Sequence, residues 1–466
     1  MQRRRFLQNT ATGIAAAVTG LGRASGLGPE PAKAASNAEP TAGGVELNVR
    51  AESFGAVGDG ATKDTVALQA ALDRCAVLGG GTVVVPAGNY LTGSLQLRSH
   101  TTLRLDEGAV IVGSPEMADY AVSQVRWEGR WIPGHVALVY AIDAVKVAIV
   151  GKGKIAGCDA LGGRPTKTAP LRHPALIEFL RCDGVTLDGF STSYHSMWSV
   201  HPTASRNIRI SNLFIRSTGG NGDGIDIDSC SDVLIERCDI ATGDDCISLK
   251  SGRGEEAYVL GLATENVVIR DCTFADSIFA CIGIGSETSG GIRNVKIERC
   301  KFTGAKTFAL YIKSRVGRGH SLENITAEDL DVSRMAGGFL RFNLTASGLL
   351  GEDPVPGLDG IPNAKGLVIR NVRVKDVPVL VDGMNVHPLK PLEGFTLENV
   401  TGTCAKGITL THARHVVLKD IHVTGYAGPL LSIADVTGRG LEGAVTIEAA
   451  KAPEVVVAPA VAYKLQ

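Results

Sequence analysis

The sequence predicts an all-β chain wound as a single-stranded, right-handed parallel β-helix, closed at its N-terminal end by a capping helix. Three observations point there. A short alternating strand recurs along most of the chain, no helical stretch separates the repeats, and Gly 57 with 5% aromatic residues describes many turns and few large core side chains. Strands repeated every twenty-odd residues are the signature of stacked β-coils, each burying its face on the next.

From the N-terminus, Arg3, Arg4 and Arg5 precede Phe6 and Leu7, and a weakly apolar run follows over 11–21. Ala32-Lys33-Ala34 offers a small-x-small cleavage site. That order reads as a signal peptide over 1–34, and the paired arginines make it a twin-arginine type, placing the mature chain in the periplasm or outside the cell. Residues 35–48 read as a flexible lead-in and 49–466 as the β-helix domain. Asp64 is placed to cap a helix carrying Leu68, Ala71, Leu72 and Cys75 on one face, which would cover the open edge of the first coil.

The strand unit then appears at Thr102-Leu103-Arg104-Leu105, Lys146-Val147-Ala148-Ile149 and Gly184-Val185-Thr186-Leu187. Irregular loops are expected over 115–140, which holds Arg126, Trp127, Arg130 and Trp131, and over 156–175. From Ile210 the third-position residues advance by 25, 34 and 28 to Ile235, Ile269 and Ile297, an insertion at 251–264 explaining the long step. Asn207, Asp232, Asn266, Asn294, Asn324, Gly366, Gly394 and His415 open successive copies. A β-propeller needs blades of about 40 residues, too long for this period.

Net charge −1 argues against a nucleic-acid binder. No other stretch supplies the ~20 apolar residues of a membrane span. Ten cysteines in a chain this long read as buried thiols rather than a disulfide framework, with Cys238, Cys272 and Cys300 stacked in a ladder. No Cys-x-x-Cys or His pairing suggests a metal site. A capped solenoid is expected to be a monomer.

Two adjacent coils carry the chemistry. Gly224-Ile225-Asp226-Ile227-Asp228 aligns with Cys246-Ile247-Ser248-Leu249-Lys250 at an offset of 22. Ile225 and Ile227 then stack inside on Ile247 and Leu249, coils lie ~4.8 Å apart, and Asp223 stacks on Asp245 with Asp244 alongside. Like charges this close push at least one pKa upward. Glycoside hydrolysis needs one protonated carboxyl and one ionised one, and a crowded trio supplies both. Turn hydrogen bonds account for one or two of these aspartates, and calcium is the rival use of such a cluster.

The alignment continues outward as Asp226, Ser248, Gly283, Tyr311 and Arg341 in one column, and Asp228, Lys250, Gly285, Lys313 and Asn343 in the next. The glycine step would leave a groove wide enough for a sugar. Lys250 is expected to pair with Asp228. Lys313 has no acidic neighbour in its column, so it is assigned to substrate, as are Tyr311 and Arg341. Trp198 and His201, one coil ahead of Asp223, are candidates to wall the cleft.

At Asn221-Gly222-Asp223-Gly224-Ile225-Asp226-Ile227-Asp228-Ser229-Cys230 and Gly243-Asp244-Asp245-Cys246-Ile247-Ser248-Leu249-Lys250-Ser251-Gly252 the chain resembles glycoside hydrolase family 28, the polygalacturonases and rhamnogalacturonan hydrolases. The resemblance implies a pectin-lyase-like β-helix that acts on pectic polysaccharide with inversion and without metal or cofactor. It implies Asp244 as general acid, and Asp223 and Asp245 as holders of the water. Three positions depart from the family pattern. Gly222 replaces Thr, Phe279-Ala280-Cys281-Ile282-Gly283 lacks the histidine of the Gly-His-Gly motif, and Tyr311-Ile312-Lys313 replaces Arg-Ile-Lys. A Tyr cannot supply a guanidinium fork, which turns the expectation toward rhamnogalacturonan, unless Arg315, Arg318 or Arg341 restores the charge. Two other readings stay open: a polysaccharide lyase, which would need a basic residue and calcium near the acids, and a non-catalytic carbohydrate-binding β-helix.

Overall fold

Each repeated strand is entered through a residue in the left-handed region of backbone space. Asn207, Asp232, Asn266, Asn294 and Asn324 have φ of 56–58°, and Gly366 and Gly394 have φ of 68° and 73°. Asn and Asp tolerate that conformation and glycine adopts it freely, which is why these residues punctuate the repeat. The computed structural model describes residues 44–456 except 162–165, 169, 194–196, 218 and 350–352. The expected signal peptide and most of the lead-in lie outside the described residues. The lead-in's last residues, Val45–Asn48, are already a strand, paired in parallel with Gly81–Val85.

The chain winds as the repeat predicts. One coil runs through Ile225–Asp228, Ser231–Glu236 and Asp239–Ala241, and the next through Ile247–Lys250, Thr264–Arg270 and Thr273–Phe274. Each strand pairs in parallel with its counterpart one coil on. The expected column is the observed register: Asp226 opposite Ser248, Ser248 opposite Gly283, Gly283 opposite Tyr311, and Tyr311 opposite Arg341. Inside, Ile225, Ile227, Ile247 and Leu249 are wholly buried. Each contributes roughly 1.5–3 kcal/mol by leaving water, and a slip of one residue would turn them all outward.

The helix Thr65–Val77 buries Leu68, Ala71, Leu72 and Cys75, as its pattern predicts. Asp64 does not cap it. Its carboxylate instead accepts the N–H groups of Val57 (2.7 Å) and Gly58 (2.9 Å), pinning the preceding turn. The stretch 115–140 is not irregular either. Val122–Trp127 and Arg130–His135 pair as an antiparallel hairpin, turned at Glu128 and Gly129, both at positive φ. The ten cysteines are all free and all but the half-buried Cys158 are buried. In the ladder, Cys238, Cys272 and Cys300 donate to the carbonyls of Glu236, Arg270 and Glu298. Among the described residues no helix is long and apolar enough to cross a membrane.

Candidate active site

Asp223 closes the turn that leads into Ile225–Asp228, and Asp244 and Asp245 close the turn that leads into Ile247–Lys250. Carboxylate oxygens of all three lie within 4.8 Å of one another, with Asp223 and Asp245 buried and Asp244 half-buried. Ser217 ties the two turns together. Its hydroxyl donates to the Gly222 carbonyl and accepts the Gly243 N–H at 3.0 Å. A Cβ on residue 222 would lie 2.7 Å from that hydroxyl and 2.6 Å from the Gly219 carbonyl oxygen, so glycine is the residue this turn accepts.

The acids are held by two lysines. Asp245 accepts the Ala280 N–H (3.0 Å) on one oxygen, and the Ser248 hydroxyl (2.9 Å) and Lys313 ammonium (2.6 Å) on the other. The Ser248 hydroxyl also lies 3.3 Å from Asp223. Lys250 sits 2.5 Å from Asp226 and 3.5 Å from Asp223, with its ammonium 4.2 Å above the Trp198 ring. Two expectations are corrected here. Lys250 does not pair with Asp228, whose carboxylate is taken by Arg126 (2.8 Å) and the Gly252 N–H (3.0 Å). The space over Gly283 is not an empty groove. A Cβ there would lie 2.5 Å from the Asp245 carboxylate and 3.1 Å from Lys313 Cε. The missing side chain is what lets Lys313 reach across a whole coil to Asp245.

Burial and crowding raise two of the three acids. Burial, reinforced by the charges of Asp223 and Asp245, pushes the Asp244 carboxyl up to about 7, against the pull of Lys313 and Lys250. Burial also raises Asp223, opposed by Lys250, and raises Asp226 further, with Asp223 adding to it. Burial disfavours the Lys313 ammonium, but Asp245 outweighs it and the pKa ends above its ordinary value. The trio could share a cation by distance. Its negative charge is, however, already met by two ammonium groups, a poor setting for a divalent ion.

Tyr311 stacks on Phe279 (5.8 Å), and its hydroxyl accepts from the Asn343 amide at 3.3 Å. Arg341 lies 5.4 Å from the Tyr311 ring and pairs with Asp382 at 3.2 Å. Arg318, a candidate to restore charge, is wholly buried and donates to the carbonyls of Ser286 and Leu349. Trp198 and His201 are each 1% exposed. They sit beneath the cleft rather than walling it: Trp127 stacks on Trp198 at 5.3 Å, and His201 bonds Glu178 (3.1 Å) and Thr203 (3.2 Å). The sequence reading missed Ser248 as the hydroxyl between Asp223 and Asp245, and Arg126 as the partner of Asp228. Ser248 was legible from its column. Arg126, about a hundred residues upstream, left no local signal.

The family described as glycosyl hydrolases family 28 matches residues 75–340. A probable polygalacturonase of Vitis vinifera is 32% identical over 364 residues, which cover 75% of this chain and 72% of that one. The exo-poly-alpha-D-galacturonosidase of Dickeya chrysanthemi is 29% identical over 310 residues, covering 53% of this chain and 48% of that one. Among solved structures, a hyperthermoactive exopolygalacturonase from Thermotoga maritima superposes with a TM-score of 0.73 at 27% identity, covering 83% of this chain and 93% of that one.

Proposed function

The chain belongs to glycosyl hydrolase family 28, and from that premise we propose that it hydrolyses α-glycosidic bonds of pectic polysaccharide with the trio as its catalytic carboxyls. The observation that carries this reading is the raised carboxyl of Asp244 beside the buried Asp223 and Asp245. Asp244, pushed up to about 7, holds a proton near neutrality and gives it to the glycosidic oxygen as that bond breaks. Asp223 and Asp245 hold a water on the other side and take its proton as its oxygen bonds the anomeric carbon.

So short a carboxyl spacing would ordinarily suggest a retaining enzyme. Inversion is supported by Asp245, whose carboxylate is anchored by three donors, so that it holds a water through a remaining lone pair rather than moving to attack carbon. Lys313, Tyr311 and Arg341 border the next coils and are assigned to the sugar on that side. Tyr311 in place of a guanidinium favours a neutral sugar there, as in rhamnogalacturonan; Arg341 beside it favours a uronate. Export through the twin-arginine-type leader and a monomeric state complete the proposal. The test is reducing-sugar release from polygalacturonate and from rhamnogalacturonan by wild type and Asp244→Asn. Release abolished in the variant supports the assignment, and equal release by both proteins removes Asp244 from it.

A further inference from the structure

The active face is the stack formed by Val139–Ile142, Ile177–Leu180, Val200–Thr203, Ile225–Asp228 and Ile247–Lys250. Turns entering these strands make one rim, where the three acids stand. Turns leaving them make the other, which includes the insertion at 251–263. The hairpin formed by Val122–Trp127 and Arg130–His135 starts on the entering rim. Its contacts cross the face. Trp127 lies on Trp198 at the entry to Val200–Thr203, and Arg126 binds Asp228 at the exit of Ile225–Asp228. At the tip, the Gly129 carbonyl accepts the Arg253 N–H at 3.0 Å, Glu128 faces Arg253 at 3.5 Å, and Arg130 pairs with Asp353. Both of these partners belong to the leaving rim.

The crossing is anchored at its base as well. Arg172, wholly buried, donates to the carbonyls of Arg126 (2.9 Å) and His135 (3.0 Å) and makes a bidentate pair with Glu178 at 2.5 and 2.9 Å. A two-stranded ribbon held at both ends by charged pairs is a fixed wall, not a flap. It runs from Trp198, on the coil before Asp223, to Asp228, at the far end of the strand that Asp223 opens. Coils are ~4.8 Å apart, so a ribbon lying on these two coils obstructs the groove on that side of the acids.

We propose that this enzyme removes units from one end of its polysaccharide, and that the hairpin at 122–135 is the end wall that forbids internal cutting. The inference rests on the hydrolase reading above and narrows it to a mode of action. A groove open at both ends lets a polymer lie across the acids anywhere along its length. A groove blocked beside the acids admits only a chain terminus.

The experiment follows viscosity and reducing ends together on polymeric polygalacturonate, and resolves the products by size. Chain-end action predicts a single sugar as the dominant product from the earliest times, and several-fold more bonds broken for a given viscosity loss than with an enzyme that cuts internally. Replacing 123–134 by a short glycine turn should reverse both, giving early oligomers and a faster viscosity fall. Arg130→Ala, which removes the pairing of the tip with Asp353, should shift the products the same way to a smaller extent and guards against a misfolded deletion. Mixed oligomers and rapid thinning with the wild type overturn the chain-end inference and leave the hydrolase standing. No bond cleaved, by reducing-end assay, overturns both.

Discussion

Replacing Asp244 by Asn should make this protein more stable while inactivating it, and the stability gain should grow with pH. Folded, Asp244 titrates near 7 instead of 3.8, because it is buried beside Asp223 and Asp245. Below 3.8 the side chain is protonated in both folded and unfolded states. Between 3.8 and 7 only the folded state holds the proton. Above 7 both are ionised, and the folded state bears a crowded charge. The stabilisation this carboxyl gives by holding its proton is therefore fully present at low pH and lost as pH rises through 7. About three powers of ten in acidity, at ~1.36 kcal/mol each, come to at most about 4 kcal/mol. Asn carries no such term. Urea unfolding of wild type and variant from pH 4 to pH 8 should show the gap widening toward the variant by a few kcal/mol. The wild-type rate should also fall as pH rises through the same range, since the acid must be protonated to act. Parallel stability curves, with no pH-dependent gap, would refute the assignment of a raised pKa to this residue.

Three further outcomes follow from the same geometry. Lys313→Ala removes the ammonium at 2.6 Å from Asp245 as well as the cation assigned to the sugar; breaking a buried pair costs about 3–5 kcal/mol, and the loss should fall on both kcat and KM, whereas a change in KM alone would mean that the contact with Asp245 is dispensable. Gly283→Ala places a methyl 2.5 Å from the Asp245 carboxylate; overpacking of this kind costs roughly 1–3 kcal/mol, so melting should shift modestly while activity collapses, and full activity would show that the Lys313–Asp245 contact is dispensable. Proton NMR of the first product should show the anomer opposite to the bond cleaved, and retention would make one of the aspartates a nucleophile.

What the sequence made legible was what is local or periodic. Ile225 with Ile247, and Gly283 with Tyr311, could be aligned because side-chain alternation fixes register once one face is buried. The face of Thr65–Val77 followed from helical spacing in the same way. Electrostatic partners were not legible. Lys250 had Asp226 and Asp228 within reach and took Asp226, because Arg126 on the hairpin already holds Asp228. The hairpin's path depends on Arg172, Arg253 and Asp353, which are distant in sequence and share no period. Asp64 looked like a cap and became a turn anchor, since two N–H groups of the preceding segment reached it first.

The division of labour among the acids then has a structural cause. Four aspartates, Asp223, Asp226, Asp244 and Asp245, meet two ammonium groups. The strand register assigns Lys250 to Asp226 and Asp223, and the glycine row assigns Lys313 to Asp245. Asp244 is left over. Among the described residues its side chain accepts the Asp245 N–H at 2.9 Å, and no ammonium bonds it. A carboxyl that borrows little compensation from its neighbours, stands half-buried at the rim and faces two other carboxyls keeps its proton well above the ordinary carboxylate range. That is the property a general acid needs. It is produced here by where two lysines can reach rather than by anything peculiar to Asp244. Moving either lysine should therefore retune the acid without touching it. Lys250→Met and Lys313→Met each take away a charge that lowers the Asp244 pKa, so in the activity either variant retains, the alkaline fall of the pH–rate profile should move to higher pH. A fall that stays in place would mean that burial alone sets this acid.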